Sequence, residues 1–326
     1  MFDALTEAAR LGTSNLLTPA ILFFALGMMA GFARSDLIVP EGLSKGLALY
    51  LMLCIGFKGG VEARVHGLFT GLGPAALLGV ALSLLTPLLA YGLLRRLAVD
   101  RTNAAATAAH YGSVSLVTFA AAGAYLEAMG LKFGGYMAAV LALMETPAIL
   151  TGLALALRGQ TGQARRGWAA VRHVLLGTAT VVLMGSFLIG LASGEPGLAK
   201  LDPFVNGIFQ GALCLFLLDM GLVASRRLMA GSRLTLGLAA FAIGLPVVMD
   251  MVTLGLARLF GLSQGDGLIL AVLAASASYI AVPAAMKTAL PEADPGLSIP
   301  MALGITFPFN LLVGIPLYHL VSDLMV

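Results

Sequence analysis

Long apolar runs, separated by short stretches of charged residues, Gly and Pro, occupy almost the whole chain. Runs of this length are typical of helices that cross a lipid bilayer, because each crossing needs about 20 apolar residues. No run shows the alternation of a strand, and we therefore predict an all-α polytopic membrane protein. The pattern predicts ten spans, near residues 17–33, 42–60, 71–94, 103–125, 134–157, 171–193, 204–225, 234–260, 267–288 and 297–322.

The ten spans divide into two sets of five. If the halves are related copies, an odd number of spans gives them opposite orientations, as in the inverted repeats of secondary transporters. Similar segments occur at matching positions of the two halves. Ser113-Val114-Ser115 matches Ser276-Ala277-Ser278, and Glu145-Thr146-Pro147 matches Thr306-Phe307-Pro308. We predict an N-terminal repeat, a cytoplasmic linker and a C-terminal inverted repeat at residues 1–157, 158–172 and 173–326.

Two of the spans, the fourth and the ninth, contain hydroxyl side chains and Gly or Pro at matching positions, which predicts two broken helices. A broken helix at mid-membrane offers N–H groups to an anion, and its unwound carbonyls and hydroxyls can hold a cation. The alternative is that the hydroxyls only bond carbonyls of their own helix or pack small faces together. The predicted substrate-binding residues are Gly112, Ser113, Ser115, Thr118, Ser276, Ser278 and Tyr279.

Composition supports the membrane class, since 59% of the residues are apolar, 11% are charged and the mean hydropathy is +0.97. A net charge of +3 is too small to indicate a nucleic-acid partner. Cys54 and Cys214 have neither disulfide nor metal spacing. No catalytic triad or phosphate-binding loop is present, and so neither an enzyme nor a cofactor is expected, apart from a sodium ion.

Most of the 19 Lys and Arg residues follow the odd-numbered spans. The positive-inside rule places these loops in the cytoplasm and both termini outside, in a multi-pass cell (inner) membrane protein. Arg165-Arg166 and Arg226-Arg227 are expected to face anionic lipid.

Ionisable residues within spans are costly and usually have a partner or a task. Lys58 is a candidate for charge compensation, in which its ammonium takes the place of a bound cation and either neutralises the substrate anion or exchanges a proton during transport; alternatively its stem reaches water. Asp219 is a possible ion-pair partner of Lys58. Glu145, two residues before Pro147, is a candidate cation ligand or proton carrier, or else a buried cap.

Asp250 allows either a structural pairing or a proton relay. His110, before the break in span 4, allows a pH sensor or a neutral core histidine. Tyr279 either closes the cavity with its phenol or packs as a ring. A cation site is expected near Ser115, Glu145 and Ser276.

Several segments across nearly the whole chain are similar to those of one known family. They are Ile55-Gly56-Phe57-Lys58-Gly59-Gly60, Ala108 to Thr118, Glu145-Thr146-Pro147-Ala148, Met220-Gly221, Leu273 to Ser278, Pro295, Gly304, Pro308 and Gly314-Ile315-Pro316-Leu317. On these residues the chain resembles the sodium-dependent bicarbonate transporters of the SbtA type.

The resemblance implies ten helices in two inverted repeats, with a mobile core of spans 3–5 and 8–10 and a scaffold of spans 1, 2, 6 and 7. It also implies a homotrimer, bicarbonate and sodium bound where broken spans 4 and 9 cross, and elevator-like alternating access. Sodium-dependent bicarbonate uptake is therefore the expected function. The alternatives are a proton- or lysine-compensated carrier of another small or bile-acid-like organic anion, and a non-transporting membrane sensor or scaffold.

The chain also departs from the family pattern. Tyr279 stands where the family has an aspartate, and Glu145 stands where it has an aspartate in span 5. The sodium site that the resemblance implies has therefore lost one carboxylate. The linker is shorter than in several relatives, which argues against regulation by a PII-like protein.

Overall fold

The computed structural model describes residues 15–66, 69–158, 176–230 and 234–325. Within these ranges 84% of the residues are helical and no strand occurs, which confirms an all-helical chain. Of the predicted linker, only Arg158 is described, and residues 159–172 lie outside the described ranges. Arg165-Arg166 therefore also lies outside them.

Twelve helices of the described chain are numbered α1 to α12 here. They are α1 Pro19–Phe32, α2 Glu41–His66, α3 Phe69–Arg96, α4 Arg101–Gly112, α5 Leu116–Ala128, α6 Met137–Leu157, α7 Thr178–Asp202, α8 Phe209–Ala230, α9 Leu236–Leu259, α10 Gln264–Ala274, α11 Ala281–Ala289 and α12 Pro295–Met325. Most of these helices are apolar throughout, as expected where lipid rather than water surrounds them.

Six candidate membrane spans meet the requirements of length and hydropathy, in place of the ten that the sequence predicts. The difference has a simple origin. The first predicted span is a described helix of 14 residues, and the fourth and ninth are each divided into two short helices. The sixth and seventh belong to one helical stretch, Thr178–Ala230. A polytopic membrane protein is supported, whereas the count of ten stays a prediction.

The stretch Thr178–Ala230 cannot be one crossing. A helix of 53 residues would be about 80 Å long, against a hydrocarbon core of about 30 Å. Gly194 interrupts it with φ +61° and ψ −159°, values that glycine adopts readily. A π-helical turn, Pro203–Gly207, follows before α8 begins. The stretch is therefore interrupted by a kink at Gly194, within α7, and by this turn before α8.

Two helix pairs are packed through glycine. A Cβ on Gly60 of α2 would lie 2.0 Å from the Phe187 carbonyl oxygen of α7. In the other pair, a Cβ on Gly27 of α1 would lie 2.1 Å from the Leu218 carbonyl oxygen of α8. Backbones approach this closely only where no side chain intervenes. The pairs α2–α7 and α1–α8 are thus closely packed units.

The remaining helices form two groups around the helix breaks. Helices α3, α4 and α6 pack on one another, and α9 packs on α10 and on the first π-helical part of α12. Contacts between α3 and α9, and between α5 and α10, join the two groups. This arrangement surrounds the two serine segments with protein.

Candidate functional site

The first break separates α4 from α5. Ser113 ends α4, with its N–H donating to the Ala109 carbonyl at 3.1 Å. Ser115 begins α5, since its Oγ accepts a hydrogen bond from the Thr118 N–H at 3.2 Å. Gly112 keeps the chain against α3, because a Cβ there would lie 2.2 Å from the Pro87 ring. Serine at these caps explains why the helix stops and restarts.

The second break lies between α10, which ends at Ala274, and α11, which begins at Ala281. The Ser276 hydroxyl donates to the Leu273 carbonyl at 2.7 Å. The Ser278 Oγ accepts from the Val282 N–H at 3.4 Å. Both serines therefore bond to backbone at the edges of this break, and both are buried.

Three hydrogen bonds join the two breaks. The Ser115 N–H donates to Ser276 Oγ at 2.9 Å. The Ser278 N–H donates to the His110 carbonyl at 2.8 Å, and His110 Nδ1 donates to the Ser278 carbonyl at 2.6 Å. Because a carbonyl only accepts, Nδ1 of His110 carries a proton. The predicted serine segments of the two halves thus lie in direct contact.

Helix α12 also contacts the breaks, through polar residues that are absent from the site predicted from the sequence. Asn310 donates from Nδ2 to the Ala275 carbonyl in the second break, and Tyr318 donates from its hydroxyl to Asn310 Oδ1, each at 2.8 Å. Thr306 donates to the Ala242 carbonyl of α9 at 2.7 Å. These residues lie in or beside the π-helical turns Pro300–Thr306 and Asn310–Gly314, a conformation frequent at functional sites. An asparagine in an apolar run was the available signal.

Four buried polar atoms have no hydrogen-bond partner among the described residues. They are Thr107 Oγ1, Ser113 Oγ, Asp250 Oδ1 and the Tyr279 hydroxyl. The Tyr279 phenol lies beside the Ser115 side chain, and its ring packs on Phe307 at 5.2 Å between centroids. A polar atom that is both buried and unpaired is unusual enough to indicate a ligand position.

Glu145 lies close to the first break. It lines a small cavity together with Leu116, the first residue of α5, and with residues of α2 and α7. Thr180 of α7 donates from its hydroxyl to Glu145 Oε2 at 3.3 Å. Glu145 is thus hydrogen-bonded across the boundary between α6 and the closely packed α2–α7 pair.

Lys58 and Asp219 lie elsewhere. The Lys58 ammonium is 5.7 Å from the centre of the Phe209 ring, a cation–π arrangement. The Asp219 carboxylate bonds the Ser44 hydroxyl and interacts electrostatically with Arg226. No ion pair joins Lys58 to Asp219 in the described ranges. Among the predicted charged residues, Glu145 shares a cavity with a residue of the first break, whereas Asp250 is buried in α9.

A comparison with known families gives a match over residues 19–323, nearly the full chain, to the Na+-dependent bicarbonate transporter superfamily. The chain belongs to this superfamily. Membership in the bicarbonate transporter superfamily points to sodium-dependent bicarbonate transport, does not favour the alternative functions, and makes sodium a co-substrate. Among curated proteins no match is found.

No group of three or more His, Cys, Asp or Glu side chains suited to a metal ion occurs in the described ranges. Sodium carriers of this general plan instead use unwound carbonyls, hydroxyls and isolated carboxylates. Those groups are present at the two breaks. Hydroxyls and backbone carbonyls of the two serine segments lie together there, and their role in binding stays a prediction.

Proposed function

We propose that this protein carries bicarbonate into the cell together with sodium, and that the anion binds at the two joined breaks. The observation that carries the proposal is the contact of Ser115 with Ser276, which unites two interrupted helices at membrane depth. Gly112, Ser113, Ser115, Thr118, Ser276, Ser278 and Tyr279 form the binding region.

The anion is placed at the amino-terminal end of α5. A helix begins there with partial positive charge, and α5 is 13 residues long. The Ser113 hydroxyl is 1% exposed and unpaired among the described residues, so it can donate to the anion without breaking another bond. An anion can thus be held there without a Lys or Arg side chain.

The proposed scaffold consists of α1, α2, α7 and α8, and the proposed core consists of α3–α6 and α9–α12. The glycine-packed pairs α1–α8 and α2–α7 support a rigid scaffold, because their backbones are in direct contact. In an inverted repeat, exchanging the halves would convert one of these pairs into the other. An elevator-like movement of the core then carries the site across the membrane, and the Glu145–Thr180 hydrogen bond must break as the core moves.

The assembly proposed is a homotrimer in the cell (inner) membrane, with ten crossings and both termini outside. The position of most basic residues after odd-numbered spans supports this orientation. Lys58, Glu145, Asp219 and Asp250 remain the proposed residues for coupling or charge compensation. The short linker does not favour a PII-like partner.

The direct test is bicarbonate uptake by the purified protein in liposomes, with and without an inward sodium gradient. Sodium-dependent uptake is expected. Uptake that ignores sodium but follows a proton gradient would support the proton- or lysine-compensated carrier instead. Bicarbonate binding without uptake would support the sensor or scaffold, and either result would overturn the proposal.

The variant Ser113→Ala tests the location of the anion. Because its hydroxyl has no partner, removal should leave the melting temperature unchanged. A hydrogen bond to a charged ligand contributes about 1.5–3 kcal/mol to the binding free energy. Its loss should therefore raise the KM for bicarbonate roughly 10- to 150-fold. Ser186→Ala is the matched control, since Ser186 is buried but bonds only carbonyls of α7. An unchanged KM in Ser113→Ala places the anion elsewhere.

A further inference from the structure

Asp250, in α9, is a buried carboxylate with an unsatisfied oxygen. Its side chain is 1% exposed, and Oδ1 accepts no hydrogen bond from the described residues. Two other buried carboxylates in the described ranges have hydrogen-bond donors. The Ser44 hydroxyl donates to Asp219, and the Ser263 hydroxyl donates to Asp266 at 2.6 Å. A carboxylate without a donor at membrane depth is costly, which indicates that a partner binds there during function.

Two side chains near Asp250 in the described chain, those of Tyr318 and Thr253, carry oxygen atoms. The Tyr318 phenol of α12 is near enough to interact electrostatically with the carboxylate, and it donates its own proton to Asn310 Oδ1. Thr253 lies one turn further along α9, with its hydroxyl donating to the Met249 carbonyl at 2.6 Å. In the described ranges no Lys or Arg forms an ion pair with Asp250. Oxygen-rich surroundings of this kind suit a hard cation.

A chain of hydrogen bonds connects Tyr318 to the second break. Tyr318 bonds Asn310, and Asn310 bonds the carbonyl of Ala275, the residue before Ser276. Gly314 permits this chain, because a Cβ there would lie 2.8 Å from Asn310 Oδ1 and 3.1 Å from the Tyr318 hydroxyl. A change at Asp250 that moves Tyr318 therefore reaches the second break through two side chains, Tyr318 and Asn310.

We propose that a sodium ion binds between α9 and α12, at the Asp250 carboxylate and the Tyr318 phenol oxygen. The ion fixes Tyr318, which holds Asn310 against Ala275 and so stabilises the second break in the form that binds the anion. This inference rests on the proposed function and assigns one cation position to it. Sodium binding here precedes tight anion binding, because the ion orders one wall of the anion site.

The test uses the full chain in detergent and sodium as the sole probe, with bicarbonate absent. The melting temperature is followed as NaCl replaces choline chloride at constant ionic strength. We expect sodium to raise the melting temperature of the wild-type protein, since a ligand that binds only the folded state stabilises it. In Asp250→Asn, the half-saturating sodium concentration should rise at least about tenfold.

Asp323→Asn is the matched control, because it makes the same substitution on α12 at a side chain that is 41% exposed. It should respond to sodium as the wild type does. Tyr318→Phe keeps the ring and removes the phenol oxygen, and it should raise the half-saturating sodium concentration by about tenfold. This second variant decides the question if Asp250→Asn does not fold.

Wild-type sodium affinity in both Asp250→Asn and Tyr318→Phe would overturn the inference. Sodium-driven bicarbonate uptake by the wild type would in that case still support the proposed function. A melting temperature that ignores sodium but shifts with pH through Asp250 would also overturn it, since a proton would then occupy the position. If the wild type shows no sodium-dependent uptake in liposomes, the proposed function itself fails.

Discussion

Replacing Ser276 with alanine removes the side chain that joins the two breaks. The Ser276 hydroxyl accepts from the Ser115 N–H at 2.9 Å and donates to the Leu273 carbonyl at 2.7 Å. Both breaks are buried, so no bulk water can replace the lost bonds. The Ser115 N–H is then a buried donor without a partner.

Leaving such a donor unpaired costs about 1–3 kcal/mol. We therefore expect the apparent melting temperature of Ser276→Ala to fall by roughly 2–10 °C. Sodium-driven uptake should fall as well, because the same bond holds the first break against the second. Measurements are thermal unfolding in detergent and bicarbonate uptake in liposomes.

Ser186→Ala again provides the comparison, because the Ser186 hydroxyl bonds the Val182 and Leu183 carbonyls within its own helix. Its removal leaves no N–H group unpaired, so the effect should stay within about 0.5 kcal/mol. If Ser276→Ala melts and transports like Ser186→Ala, the breaks are not held together by this hydroxyl, and the reasoning from the Ser115 contact is wrong.

Further substitutions test three other contacts. His110→Asn keeps a donor near the position of Nδ1, so its melting temperature should stay within about a degree or two of wild type. His110→Leu leaves the Ser278 carbonyl without a donor and should lower the free energy of unfolding by about 1–3 kcal/mol. Equal melting temperatures for the two variants would contradict this. Gly60→Ala places a Cβ 2.0 Å from the α7 backbone and should lower the free energy of unfolding by about 1–3 kcal/mol or more. In Gly185→Ala the new Cβ has nothing within 4 Å, so this control should be as stable as wild type. A Gly60→Ala variant as stable as wild type would refute the close packing. Glu145→Gln keeps an acceptor for the Thr180 hydroxyl, so the melting temperature should not change. Sodium-driven bicarbonate uptake should fall roughly tenfold, because the carboxylate charge is lost. Unchanged uptake would restrict Glu145 to a structural role.

Hydropathy and local residue chemistry were sufficient to predict the all-helical membrane class, because they depend on neighbours in sequence. The interruptions at Ser113 and Ser276 were also predictable, since serine, glycine and proline disfavour helix within an apolar run. Both segments do lie at helix ends in the structure. Their binding role stays a prediction.

Partners that are distant in sequence could not be predicted in this way. Asn310 bonds Ala275 across 35 residues, and Ser278 bonds His110 across 168. The periodicity of apolar residues shows which face of a helix is buried, but it does not show which other helix that face packs against. For the same reason the proposed pairing of Lys58 with Asp219 rested on charge alone, and the structure gives each of them other neighbours.

If the anion binds at the two breaks as proposed, the three hydrogen bonds between the breaks also limit the size of the anion that can bind. An anion large enough to push the breaks apart must separate Ser115 from Ser276 and Ser278 from His110. At about 0.5–1.5 kcal/mol for each of three bonds, a bulky anion loses a few kcal/mol that a small one does not lose. Selection against large organic anions thus arises from the bonds that close the site, with no residue needed to reject them by contact.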